Sequence, residues 1–70
     1  MNQIIGHFQK SKSSSIQVSL VEWQDAIYLD IREVIPTDQS GEQFIMTRKG
    51  VRFRADLATN LIDLLRELER

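Results

Sequence analysis

Arg48, Lys49, Arg52 and Arg54 place four cations within seven positions of a 70-residue chain whose formal net charge is −1. Cations at every second residue of a strand stand about 6.6 Å apart and can follow a phosphate backbone. The same residues would also serve as edge-strand charges that block aggregation. Trp23, Tyr28 and Arg32 shift the balance. Single-stranded nucleic acid is bound by cations that track phosphates and by aromatics that stack on bases. Trp23 and Tyr28 supply stacking surfaces, Arg32 lies on the Tyr28 side of its segment, and Lys10 and Lys12 add a cationic arm. Two plainer roles compete. A surface Trp also suits a dimer interface, and Arg32 with Asp30 makes a same-face ion pair of small value.

Other chemistries lack their residues. Three glycines scattered along the chain form no phosphate-cradling loop, and no serine sits in a nucleophile-elbow pattern. Asp30 and Glu33 are three apart on a strand, so they face opposite sides and make no acid/base pair. With no Cys and only His7, disulfides and zinc sites are excluded, and no cofactor is expected. His7 has no catalytic partner nearby and reads as a surface or packing residue. The expectation is a protein without enzymatic activity. The slight negative charge gives no global attraction to polyanions, so any nucleic-acid affinity must arise from local arrangement. No apolar run approaches the roughly 20 residues of a membrane span, and residues 1–15 show no signal-peptide hydrophobic run. A soluble, cytoplasmic protein is expected.

The elements that must position these residues are short. Residues 1–15, with Ile4, Ile5 and Phe8 before the polar Gln9–Ser15, read as a flexible arm or a short strand. Residues 16–70 form the domain proper. In "SIQVSLVEW", Ile16, Val18 and Leu20 share one face, while Gln17, Ser19, Val21 and Trp23 share the other. "IYLDIREVI" alternates again, with Ile27, Leu29 and Ile31 on the apolar side. Two such runs joined by "QDA" predict an antiparallel hairpin with matched core faces. Pro36, Asp38, Ser40 and Gly41 mark a loop. "QFIMT" and "RKGVRFR" follow, with Gly50 at a tight turn or bulge; Val51 and Phe53 face the core, Arg52 and Arg54 the open side. From Ala55 the period turns helical for about 15 residues, about 22 Å. Leu57, Leu61, Leu64, Leu65 and Leu68 make its stripe.

The class is therefore α+β, an antiparallel sheet followed by one C-terminal amphipathic helix. A chain of this size buries only roughly 60% of its unfolded surface. One sheet and one helix leave apolar surface uncovered, so the leucine stripe is expected to form a homodimer interface.

"IYLDIRE" (27–33), a polar loop, "RKGVRF" (48–53) and an amphipathic helix together resemble the DNA-binding domain of the transcriptional coactivator positive cofactor four family, in its compact bacterial or phage form. The resemblance spans about residues 16–69. It implies a curved four-stranded antiparallel sheet, dimerisation through the helices, and binding of single-stranded DNA without strong sequence preference. The implied role is transcription regulation or DNA maintenance, with the transcription machinery as a further partner. It assigns base stacking to Trp23 and phosphate contacts to Arg32, Lys49 and the preceding Arg48. Two departures stand out. The turn after Trp23 is Gln24-Asp25-Ala26 where members often carry cations, and Val34-Ile35 stand where a second aromatic is common. Arg52 and Arg54 are positioned to compensate. A dimeric protein-interaction module of the same fold, and single-stranded RNA as ligand, are the alternatives.

Overall fold

A computed structural model describes residues 2–37 and 43–70; the expected turn formers Asp38, Ser40 and Gly41 lie outside the described residues. Four strands, β1 (Asn2–Ser11), β2 (Ser14–Trp23), β3 (Ala26–Pro36) and β4 (Phe44–Arg54), pair antiparallel in sequence order. A 3₁₀ turn (Ala55–Leu57), helix α1 (Ala58–Arg66) and a second 3₁₀ turn (Glu67–Glu69) follow. Among the described residues, no helix is long and apolar enough to cross a membrane.

Residues 1–15, read as an arm or a short strand, hold all ten residues of β1 and the start of β2. The polar composition does not prevent pairing, because β1 registers residue by residue against β2, with His7 opposite Gln17 and Phe8 opposite Ile16. Ser11 secures the turn: its hydroxyl lies 3.0 Å from that of Ser14 and accepts the Ser13 N–H at 3.3 Å.

The β2–β3 turn is two residues long. Gln24 and Asp25 both have positive φ, 49° and 64°. Such turns match the twist of hairpin strands. Trp23 then registers with Ala26, Val21 with Tyr28, Ser19 with Asp30 and Gln17 with Arg32. On the other side of β3, Tyr28 registers with Arg54, Asp30 with Arg52 and Arg32 with Gly50.

Register shifts interrupt β1 near Ile5 and Lys10, and β4 between Met46 and Gly50. Bulges of this kind bend a strand and increase its twist. The sheet curls until its two edge strands meet across the polar face, where the His7 and Phe44 rings lie 5.1 Å apart between centroids. This curl reverses an expectation. Ile16, Val18 and Leu20 were assigned to the core, yet they are only half-buried. The residues that alternate with them, Ser15, Gln17 and Ser19, are buried. The polar face is the concave one, and its own edges shield it. The apolar face is convex, and a single chain leaves it open: Val51, assigned to the core, is exposed, and Phe53 is half-buried. Val34 is the one buried hydrophobic side chain among the described residues.

"QFIMT" and "RKGVRFR" form one strand, with the bulge just ahead of Gly50. A Cβ on Gly50 would stand 2.6 Å from the Ile31 carbonyl oxygen and 2.9 Å from Arg32 Cα. Both are backbone atoms of β3, which cannot step aside. Gly50→Ala is expected to destabilise the fold by about 1–3 kcal/mol, read as a lower urea midpoint; an unchanged midpoint would refute this close approach.

The helical segment begins at Ala55, where the periodicity put it. Its leading turn touches β3, but no residue from Ala55 to Glu69 is buried. Leu61 is half-buried, whereas Leu57, Leu64, Leu65 and Leu68 are exposed.

Candidate nucleic-acid interface

The concave face collects the predicted residues by strand register. Trp23 ends β2 and Tyr28 is the third residue of β3 across the hairpin, so both rings stand on one face near one end of the sheet. Their centroids are 6.3 Å apart with planes inclined by 59°, a tilted pair rather than a closed stack. The Trp23 indole is 58% exposed. Large aromatics are mostly sequestered, so an open indole beside a second ring is an unusual flat apolar surface left to solvent in the single chain. Trp23, Tyr28 and Arg52 line a recess of about 270 Å³.

Arg52 enters that recess because Asp30 holds it. The Asp30 carboxylate is fully buried and receives three guanidinium bonds. Arg32 Nε donates to Oδ1 at 3.0 Å, Arg32 Nη2 to Oδ2 at 3.2 Å, and Arg52 Nε to Oδ2 at 2.7 Å. Burial pushes the Asp30 carboxyl up. The hydrogen bonds and charges of Arg32 and Arg52 together outweigh it, and the group is held below the usual carboxylate value. Two cations share one anion, so the triad carries a net positive charge on the concave face.

The two arginines differ in freedom. Arg32 also donates from Nη1 to the Thr47 carbonyl at 2.9 Å, and its side chain is only 17% exposed. It clamps the β4 bulge to β3. Thr47 completes the clamp by donating its hydroxyl to the Glu33 carbonyl at 2.8 Å and accepting the Lys49 N–H at 3.1 Å. Arg52, with 46% of its side chain exposed, can meet a ligand while staying on Asp30.

The remaining cations divide by place. Arg54 shares the concave face with Tyr28 and lies 3.9 Å from Asp56, both well exposed. Arg48 and Lys49 stand exposed in the bulge. Lys10 turns instead to the convex side, where it pairs with Glu33. That hydrogen bond holds the Glu33 carboxyl below its usual value, with Lys49 adding a weaker charge effect. Lys12 sits exposed in the β1–β2 turn. The structure thus gathers Trp23, Tyr28, Arg32, Arg52 and Arg54 on one face and leaves Lys10 away from it.

Sequence reasoning missed Asp30 as the organiser of the site. Its pairing with Arg32 looked like a minor surface contact, because burial of the polar face was not foreseen. A signal was present: once β3 and β4 are aligned on Gly50, Asp30 falls opposite Arg52. Also missed was the burial of Gln17 and Ser19, which were placed only on the face opposite Ile16, Val18 and Leu20.

Among the described residues, no group of three or more His, Asp or Glu could hold a metal ion. A strongly curled four-stranded sheet with an aromatic and cationic inner face and a C-terminal helix that buries no residue defines a class of small binding domain. The sequence profile of the family described as Transcriptional Coactivator p15 (PC4) matches residues 10–64, and the chain belongs to that family, one of DNA-binding and coactivator proteins. Among solved structures, a PC4 homologue from Burkholderia pseudomallei K96243 in its orthorhombic crystal form superposes with a TM-score of 0.82 at 30% identity, covering 99% of this chain and 90% of that one. Its tetragonal form gives 0.80 at 27% identity, with full coverage of both chains. A bacteriophage T5 homologue of the eukaryotic coactivator PC4, implicated in recombination-dependent DNA replication, gives 0.61 at 18% identity, covering 97% of this chain and 74% of that one, and is similar in fold. No curated protein sequence matched the chain.

Proposed function

We propose that the chain acts as a homodimer that binds single-stranded DNA along its concave face, in transcription regulation or DNA maintenance. The observation that carries this reading is the recess in which an exposed indole, a phenol ring and a charge-anchored guanidinium converge. Bases stack on Trp23 and Tyr28. Phosphates are held by Arg52 and Arg54, with Arg48 and Lys49 extending the track from the bulge. Arg32 supports the site chiefly by fixing Asp30 and the bulge; Lys10 and Lys12 are outlying cations. Stacking on a π-face tolerates every base, whereas telling RNA from DNA needs a contact to the 2′-hydroxyl. A second chain is needed because the convex sheet face and the leucine stripe of Leu57, Leu61, Leu64, Leu65 and Leu68 remain open in one chain.

Trp23 is the only tryptophan, so its fluorescence reports the site alone. Titration with an oligothymidine strand at about 50 and about 200 mM salt is expected to quench it and to bind more tightly than duplex of equal length. The logarithmic salt slope should be about −0.7 per phosphate contacted. The solution mass should be twice 8.1 kDa. Absence of quenching, or equal affinity for duplex, sinks the single-strand reading; a monomer sinks the dimer. One observation favours a protein-interaction module instead, namely that Asp30 takes up part of the charge of Arg32 and Arg52. A stable dimer that shows no quenching would support it.

A further inference from the structure

Beside the aromatic recess lies a second cavity of about 240 Å³ with a different lining, in which Ile4, Val21 and Met46 supply apolar walls, Gln17, Ser19 and Arg52 supply polar groups, and the exposed Asn2 and Gln3 of β1 stand at the rim. Arg52 belongs to both cavities. Gln17 is 8% exposed and Ser19 5% exposed. Neither side chain has a hydrogen-bond partner among the described residues, although no fully enclosed side-chain polar atom there goes unpaired. The Gln17 amide and the Ser19 hydroxyl therefore present their polar atoms to the cavity. Of the four other buried polar side chains among the described residues, three are spoken for, Asp30 by two arginines, Glu33 by Lys10 and Ser14 by Ser11; Ser15 is not, but it does not line the cavity. Buried polar side chains are usually hydrogen-bonded. Two adjacent ones left open onto one cavity point to a ligand that completes them.

We infer that this cavity is a nucleobase subsite whose Gln17 amide and Ser19 hydroxyl read the hydrogen-bonding edge of one base, giving the bound strand a base preference that the aromatic recess cannot give. The inference rests on the single-strand reading above. A carboxamide sets a donor beside an acceptor, the arrangement that pairs with base edges. Single-stranded recognition gains sequence information through such edges, whereas stacking is tolerant of sequence. The apolar walls of Ile4, Val21 and Met46 take the faces of the ring, and the polar groups meet its rim. Arg52, common to both cavities, holds the phosphate that links the base on Trp23 to the base on Gln17. The unit recognised is a dinucleotide with one stacked base and one read base.

The test compares labelled oligo-dA, oligo-dC and oligo-dT strands of equal length against the wild-type dimer, Gln17→Leu, Ser19→Ala and the double variant. The wild type is expected to separate its best from its worst homopolymer by roughly tenfold or more. The double variant should compress that ratio to roughly twofold, the range left to stacking. Its Trp23 quenching and salt slope should stay unchanged. Ser19→Ala removes one hydroxyl with little risk to folding, and it must move the ratio in the same direction. Three results overturn the inference: equal wild-type affinities for the three strands, a ratio preserved in the double variant, or a uniform loss across all strands. If no strand quenches Trp23 at all, the single-strand reading has failed instead.

Discussion

Replacing Asp30 by alanine is expected to cost about 3–5 kcal/mol of folding free energy, the usual penalty for stranding a buried charge. The loss falls mainly on Arg32. Its side chain is 17% exposed and two of its three side-chain hydrogen bonds end on Asp30, whereas Arg52 is open enough to return to water. Small domains hold only about 5–15 kcal/mol in total, so this change removes a large share of stability. Urea unfolding followed by circular dichroism measures it. A loss of about 1 kcal/mol or less, the value of an exposed pair, would mean that Asp30 is not the buried hub described above. The pH dependence has a definite sign. The folded carboxyl titrates below its unfolded value of 3.8, so its stabilisation is fully present above that value. It fades as pH falls through the depressed folded value. Wild type should therefore lose stability at acid pH more steeply than Asp30→Ala. Pairing Asp30→Leu with Arg32→Met should recover much of the loss, because a well-packed apolar pair is often as stable as a buried ion pair. The double change would still lower DNA affinity, since Arg52 loses its anchor.

Trp23→Ala should have the largest effect on binding with almost none on folding. The ring is 58% exposed and its aromatic contact is Tyr28, so little packing is lost. A stacked base contributes about 1–3 kcal/mol by alanine substitution, which is roughly 5- to 150-fold in affinity for oligothymidine. Fluorescence anisotropy of a labelled strand measures this without the tryptophan signal. The salt slope should stay as in wild type, because no phosphate contact is removed. Trp23→Phe should recover part of the affinity, as a smaller ring still stacks. If Trp23→Ala binds as tightly as wild type, the indole serves some other surface. Should it instead break the dimer, the exposed ring belongs to the subunit interface.

Much of the secondary structure was legible in the residues because each period has a local cause. Alternation in "SIQVSL" and "IYLDIRE" reflects the pleat, and the change to helical spacing after Ala55 reflects a different backbone period. Trp23 and Tyr28 share a face because two-residue periodicity and the two-residue β2–β3 turn fix their register, and Arg52 and Arg54 join them by pairing with Asp30 and Tyr28. Less legible was β1. Its sequence lacks clean alternation, and it becomes a strand only because β2 offers a pairing edge. Gly50 signalled a turn or bulge in β4, but the stretch it displaces, Thr47–Lys49, was not legible, since a bulge depends on how many residues the partner strand presents.

What the sequence determined by itself was the inventory and the local periods: strands, then a helix, an aromatic hairpin end, and cations on alternate residues beside it. Those follow from side-chain type and from the geometry of one strand at a time. Tertiary structure alone decided which face of the sheet closed. Bulges and twist brought β1 to β4, and the polar face became the interior of the curl. That turned Asp30 from a surface carboxylate into the buried anchor of two arginines, and left Gln17 and Ser19 with open valences beside them. Burial depends on strands far apart in sequence, and no local pattern in this chain encodes it.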